Sequence, residues 1–509
     1  MIYAILGQTA SGKTDLAIKL ARELGMPLIG CDVYQMYKEL NIGSAKPTID
    51  ELKGVDYHFI GSDSIEHKMS VKEYQQRCRQ LIDEYAYKGQ DVIISGGTLL
   101  YLRAVIYPYE FNTENQANQN TYDKYTNLEL YNKLLDVDKP SAEALNVNNR
   151  RRIIRALQIY DSGEKKSDII KKPKKLLYPV KLFVIDIDRD VGNKRIAMRV
   201  QKMFEDGLVH EVDDLISKYD TKLPGLEAIG YKELINMPKL GYSLDQIKEK
   251  IIINTRQYAK RQRTFLRNQF KNVHYCSAEE IYNYVSFDTQ RRHRNKASLG
   301  FDLLAKIEKT SAVVVGVGGV GSILAESLVR LGINDLILID KDVVDISNLN
   351  RQMAYTSVDV GQPKTEVLLK RLQKIDAMAN IVSIHDTYSD EYIPQDCDVI
   401  FDCVDDVEAK VDICLCGKKR KIRTIHATGS GLRCDSTKMK MGFLKDTGEP
   451  LAKKFKSALK EKDILDFENI LVTYSSETPQ KRRTRELGSN VLVPNAEGLA
   501  MVSYFIKEL

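Results

Sequence analysis

The sequence predicts an α/β protein of two parallel-sheet domains, and three observations predict it. An apolar strand, Ile2–Leu6, runs into Gly7-Gln8-Thr9-Ala10-Ser11-Gly12-Lys13-Thr14. A second, Ser311–Val315, runs into Gly316-Val317-Gly318-Gly319-Val320-Gly321. The chain has 509 residues, more than one hydrophobic core usually supports. Strand, glycine-rich turn and helix, in that order, present backbone N–H groups and a helix N-terminus to phosphate.

The first of these turns has the spacing GxxxxGK[ST], and the apolar period of Leu16, Ala17, Leu20, Ala21 and Leu24 predicts a helix directly after it. Gly7, Thr9, Ala10, Ser11 and Gly12 are read as the phosphate cradle, Lys13 as the cation on the terminal phosphates and Thr14 as a ligand for Mg²⁺. The loop alone leaves open whether its ligand is a nucleotide. Pro27–Cys31 reads as a second strand ending at Asp32, and Val92–Ser95 as a third leading into Gly96-Gly97-Thr98. A carboxylate at the C-terminal edge of such a strand is well placed for chemistry. Strands alternating with helices give a doubly wound sheet.

Composition narrows the setting. With 43% apolar and 29% charged residues the chain is globular, and no apolar run approaches the ~18 residues of a membrane span, so a cytoplasmic protein is expected. Its eight cysteines form no CxxC pair, which argues for reduced thiols and against structural zinc; Cys414, Cys416 and Cys434 read as ordinary thiols. The net charge of +6 is modest, but Arg150–Arg152, Lys171–Lys175, Arg291–Arg294, Lys418–Lys421 and Arg482–Arg485 are local basic clusters that favour a polyanionic partner.

Further stretches of the first half carry a family resemblance: Asp32-Val33-Tyr34-Gln35-Met36-Tyr37, Asn41–Pro47, Gly96–Tyr101, Arg151–Tyr160, Arg195–Leu208, Glu227–Leu234 and Thr255–Gln262. Residues 1–285 resemble the tRNA dimethylallyltransferases, which alkylate N6 of the adenosine following the anticodon with dimethylallyl diphosphate. The resemblance implies Asp32 as general base, Thr98 as its neighbouring hydroxyl and Arg199 as a cation on the leaving diphosphate. It implies tRNA contacts at Asp32, Val33, Tyr34, Gln35, Arg152, Arg155, Arg256, Lys260 and Arg261. Val33, Ser44 and Phe265 depart from the family's usual serine, threonine and tryptophan. The segment of about 108–149 is expected as a helical insertion shorter than the family's usual one, with its Asn-rich run 112–120 read as a loop.

Residues 286–296 are polar and basic and read as a linker, with residues 297–509 as the second domain and Arg291–Lys296 as a shared tRNA contact. There the strand Leu336–Ile339 ends in Asp340, about twenty residues past the last glycine, a dinucleotide-binding pattern that on its own would suit NAD. Asn348, Arg351, Lys364 and the acid Asp405 after a third strand suit a triphosphate and its Mg²⁺ better. With His426–Gly431, Asp435–Lys438, Asp446–Ala452 and Val472–Glu477, residues 290–509 resemble the ubiquitin-activating-like adenylating domains, and among them the tRNA threonylcarbamoyladenosine dehydratases. That implies ATP bound by Gly316, Gly318, Gly319, Gly321, Asp340, Asn348, Arg351 and Lys364, and Mg²⁺ by Asp405. It also implies Arg294 as a further basic group and a homodimer through this half.

The reading is thus a fusion of two tRNA-modifying enzymes. The alternatives are a kinase fused to an NAD-dependent reductase, and a second half that adenylates a ubiquitin-like or sulfur-carrier protein or is catalytically idle.

Overall fold

The computed structural model describes residues 1–108, 122–161, 163, 165–167, 175–429, 431–481 and 488–509. The run 112–120 and the cluster Arg482–Arg485 lie outside them, as do residues 171–174. The chain forms two compact units, one of Met1–Lys68, Leu81–Thr98 and Tyr178–Leu509, the other of Met69–Gln80 and Leu99–Leu177.

The larger unit holds two sheets. The first contains β1 (Ile2–Leu6), β2 (Leu28–Gly30), β3 (Tyr57–His58), β4 (Val92–Ser95), β5 (Val180–Ile185) and β6 (Val273–Cys276) in the order β3-β2-β4-β1-β5-β6. All its pairs are parallel, with Ile2 facing Val92 on one side and Val180 on the other. Every residue of β1, β2 and β4 is buried, which is why they read as unbroken apolar runs instead of alternating ones. Their C-terminal ends carry the Gly7–Thr14 loop, Asp32 and Thr98 to one edge.

The second sheet contains β7 (Ser311–Val315), β8 (Asp335–Ile339), β9 (Asn380–Ile384), β10 (Val399–Asp402), β11 (Arg423–Ala427), β12 (Met439–Phe443) and β13 (Leu471–Ser475). Its order is β12-β13-β11-β10-β7-β8-β9, parallel except for β12 against β13. Val314, Leu324, Leu328, Leu338, Leu368, Phe401 and Phe505 close its core.

The smaller unit is helical: Leu99–Ile106, Asn127–Val137, Lys139–Glu143 and Arg150–Asp161. Thr126 and Glu129 form a capping box at one helix start, and Leu130, Leu134, Ile153 and Leu157 pack behind it. The helices Asn127–Val137 and Lys139–Glu143 fall in the segment expected as an insertion.

The stretch read as a basic linker is helical. Residues 286–296 belong to one helix, Ala278–Leu299, started by the capping box Ser277/Glu280 and ended at Gly300. Composition misled because the arginines find their counter-charges on distant segments. Arg292 pairs with Glu308 and, at 2.9 Å, with Asp91, and Arg291 reaches Asp288 at 2.7 Å and Asp376 at 3.0 Å. Tyr3 of β1 donates to Asp288 at 2.8 Å, Tyr284 donates to Asp376 at 2.9 Å, and Lys181 of β5 faces the same Asp376 at 3.5 Å. Arg292, Lys181 and Asp376 are buried, so the two halves meet through a dry, charged seam. This takes Arg291 and Arg292 away from the tRNA contact expected of them. Arg294 stays exposed on the helix.

Candidate active sites

The Gly7–Thr14 loop wraps the start of the helix Lys13–Leu24, whose N-cap, Gly12, is left-handed at φ 88°. Ala10 sits at φ 60°, a conformation L-alanine disfavours and the kind of local strain found at ligand-binding turns. Lys13 is buried, and its ammonium donates to the Gln8 carbonyl at a long 3.4 Å. Burial pulls its pKa down to about 8, with the Asp32 carboxylate opposing. Ser11 Oγ is buried with no hydrogen-bond partner among the described residues, and Thr14 is half-buried one residue beyond Lys13. An orphaned hydroxyl, an under-partnered cation and the loop N–H groups are the donors a phosphate chain would satisfy.

Asp32 is half-buried at the end of β2. Burial pushes its carboxyl up, and Lys13 is the largest opposing influence. Arg199, on the helix Arg189–Glu205, has its pKa lowered by burial, again opposed by Asp32. Lys13 and Arg199 thus face the carboxylates of Asp32 and Asp15, and both are cations that a diphosphate would meet. Arg195, one turn earlier, reaches Ser11 O only at 3.5 Å. Thr98 Oγ1 accepts from Val33 N at 3.1 Å, which ties the expected hydroxyl to the residue beside the base.

The expected tRNA-reading residues divide. Arg256, Lys260 and Arg261 are exposed on the helix Leu244–Gln269, one basic face of it. Arg152 and Arg155 are exposed on a helix of the smaller unit, while Arg150 beside them is engaged by the carbonyls of Tyr122 and Tyr125. Val33 and Tyr34 are half-buried. Gln35 is buried, and its amide donates to the carbonyls of Ser44 and Ala45, so its donors shape the loop 41–47. Sequence reasoning missed Glu211, whose carboxylate collects the N–H groups of Asn41, Ile42 and Gly43, because nothing in its local pattern marks it.

In the second half, a Cβ at Gly321 would lie 1.9 Å from the Gly316 carbonyl oxygen, so only glycine lets this turn close. Both carboxylate oxygens of Asp340 are engaged, one by Val317 N at 2.7 Å and one by Asp342 N at 2.8 Å. Burial raises its pKa against those bonds. Lys364 pairs with Asp342 at 2.8 Å, and Arg351 donates to Ser347 O and Asn350 Oδ1, both at 2.9 Å. Asn348 accepts from Asp345 N in a capping box. Gln352 Oε1, Asn495 Oδ1 and Ser322 Oγ are buried without partners among the described residues, polar capacity that a nucleotide would use.

Of the three acids Asp402, Asp405 and Asp406 at the end of β10, Asp402 is buried against Lys410 at 3.0 Å and His426 at 2.7 Å, and Asp406 caps the helix Val407–Arg420. Asp405 and Asp406 are both exposed, and the Asp406 carboxylate accepts from Glu408 N and Ala409 N. Cys414 and Cys416 are buried, burial holding Cys414 up at about 11, and Cys434 is exposed.

Fold and sites together define a P-loop α/β unit followed by a dinucleotide-type adenylating unit. Residues 35–269 match the family model of the IPP transferases and residues 290–474 that of the ThiF family. The tRNA dimethylallyltransferase of Bacillus cereus strain AH187 is 35% identical over 308 residues, 58% of this chain and 97% of the relative. The chain belongs to the tRNA dimethylallyltransferase family, with a ThiF-family domain behind the transferase region. Among solved structures, the tRNA isopentenylpyrophosphate transferase of Bacillus halodurans aligns at 30% identity and a TM-score of 0.44, over 58% of this chain and 99% of that one. The E. coli tRNA N6-threonylcarbamoyladenosine dehydratase in complex with AMP aligns at 27% identity and a TM-score of 0.42, over 43% of this chain and 93% of that one.

Proposed function

We propose that the chain is a bifunctional tRNA-modifying enzyme. Its first half transfers the dimethylallyl group of dimethylallyl diphosphate to N6 of the adenosine 3′ of the anticodon. Its second half uses ATP to cyclise threonylcarbamoyladenosine at that position in other tRNAs. The two modifications occupy the same N6, so one nucleotide cannot carry both.

One observation carries the transferase reading: Asp32 stands beside two desolvated cations, buried Lys13 and half-buried Arg199. As the C–O bond to the diphosphate breaks and the N6–C bond forms, Lys13, Arg199 and the loop N–H groups take up the leaving charge, and Asp32 accepts the amine proton. Exposed Arg256, Lys260 and Arg261 would hold the tRNA backbone, with Arg152 and Arg155 as further cations. Mg²⁺ at Thr14 would add charge neutralisation to the diphosphate.

For the second half, the orphaned groups beside the Gly316–Gly321 turn support an ATP site, with Arg351 and Lys364 as its cations and Asp405 as the Mg²⁺ ligand. The substrate carboxylate would attack the α-phosphate and release pyrophosphate, and ring closure would then expel AMP. Exposed Ile346, Met353 and Val358 flank Arg351 in sequence and support self-association there. The reading also includes a cytoplasmic location; among the described residues no helix is long and apolar enough to cross a membrane.

Purified protein tests both claims by nucleoside mass spectrometry of tRNA. Dimethylallyl diphosphate alone should yield N6-dimethylallyladenosine, and ATP with threonylcarbamoylated tRNA should yield the dehydrated product and AMP. Absence of either product removes that half of the proposal.

A further inference from the structure

Gln262 joins the two walls of the first site. It is buried, 4% exposed, on the helix Leu244–Gln269. Its Oε1 accepts from Thr9 N of the phosphate loop at 2.9 Å, and its Nε2 donates to Gly97 O at 2.9 Å. Tyr258, one turn earlier, donates to the same Gly97 oxygen at 3.2 Å. The next residue, Arg263, donates to Gln8 Oε1 of the loop.

Gly97 precedes Thr98, whose N–H binds Cys31 O at 2.9 Å and whose hydroxyl binds Val33 N, on either side of Asp32. A Cβ on Gly97 would come within 2.6 Å of Gln262 Nε2 and 3.4 Å of Asp32 Oδ2, so amide, glycine and carboxylate are in close contact. One carboxamide, its carbonyl on the leaving-group loop and its amide nitrogen on the wall that holds the base, therefore spans the distance the transferred group must cross. A carboxamide offers both donor and acceptor at that reach without burying a charge.

We propose that Gln262 is a positioning residue for prenyl transfer, setting the separation between the phosphate loop and the Asp32–Thr98 wall. It touches neither reacting atom in this role. The inference rests on the transferase reading above, and wild-type turnover checks that reading first.

The experiment measures kcat, both KM values and tRNA affinity for Gln262→Met and Gln262→Glu in the full chain. The Met side chain fills the space without bridging the walls, so kcat should fall roughly 10–100-fold, the scale of a small misplacement of reacting groups, while tRNA affinity stays within about twofold. The Gln262→Glu variant adds a signature that packing alone cannot produce. Its protonated carboxyl can both donate to Gly97 O and accept from Thr9 N, so its activity relative to wild type should rise as pH falls, opposite to the loss expected as Asp32 protonates.

Wild-type turnover with an unchanged kcat in Gln262→Met, or with a flat activity ratio in Gln262→Glu, overturns the inference. If Gln262→Met does not fold, the Gln262→Glu ratio decides alone. Absence of wild-type turnover overturns the transferase reading instead.

Discussion

The two glycine-rich turns are alike in position, each at the C-terminal end of a buried parallel strand, and opposite in their electrostatics. In the first, Lys13 and Arg199 are desolvated, Lys13 makes a long bond to the Gln8 carbonyl, and the Asp32 and Asp15 carboxylates oppose the shift of both. In the second, Lys364 already pairs with Asp342, Arg351 already binds a carbonyl, and both oxygens of Asp340 are held by backbone N–H groups. The first leaves its cations outside any close ion pair among the described residues; the second has its charged groups already engaged and only neutral groups orphaned. On the proposed function, a carboxylate at the end of the neighbouring strand is a reacting group in one turn and, in the other, a group held by backbone N–H groups.

The sharpest way to break this contrast is to remove each carboxylate. Asp32→Ala should lower prenyl transfer about 10²–10⁴-fold while leaving tRNA affinity within a few fold. Near-normal turnover would remove Asp32 from the chemistry. Asp340→Ala should behave in the reverse sense. It leaves the buried Val317 N–H unpartnered, at about 1–3 kcal/mol, so denaturant melts should show lost stability together with weakened ATP binding, and prenylation should persist.

A smaller effect separates the sites by pH. Lys13 carries a pKa of about 8 because burial disfavours its charge. Its protonated form destabilises the fold at neutral pH, and that cost fades as pH rises from about 8 toward the ordinary lysine range. A bound diphosphate reverses the preference. The KM for dimethylallyl diphosphate should therefore climb above about pH 8, and donor-induced thermal stabilisation should shrink in the same range. A donor KM flat from pH 7 to 9 would show that Lys13 is not held in this state. The smallest structural effect is expected at exposed Asp405: Asp405→Ala should stop the ATP-dependent reaction with no detectable change in melting temperature.

Much of this architecture was legible in the chain. The strands β1, β4 and β7 are apolar runs next to glycine-rich turns, so their place followed from burial on both faces, and β8 was legible as the apolar run that ends at Asp340. Asp32 was legible because it stands where a strand ends. What escaped were residues whose meaning lies in a remote partner. Gln262 sits in the recognised stretch Thr255–Gln262, yet its cationic neighbours drew the functional reading and a neutral amide gives no periodic signal. Residues 286–296 looked like a solvated connector because charge is visible in sequence and its neutralisation by Asp91, Glu308 and Asp376 is not.

The seam those residues form makes two kinds of genetic lesion unequal. A frameshift that removes the second half returns Lys181 to water, where an ammonium needs no counter-ion. A missense change of Asp376 to asparagine keeps the half in place and leaves Lys181, 3% exposed, with neutral partners such as the Met378 carbonyl and the ring of Tyr284 in place of its counter-charge. Breaking such a buried pair from one side costs about 3–5 kcal/mol, a large share of a typical domain's stability. In this chain the transferase is therefore exposed to inherited errors written in the gene segment of its neighbour.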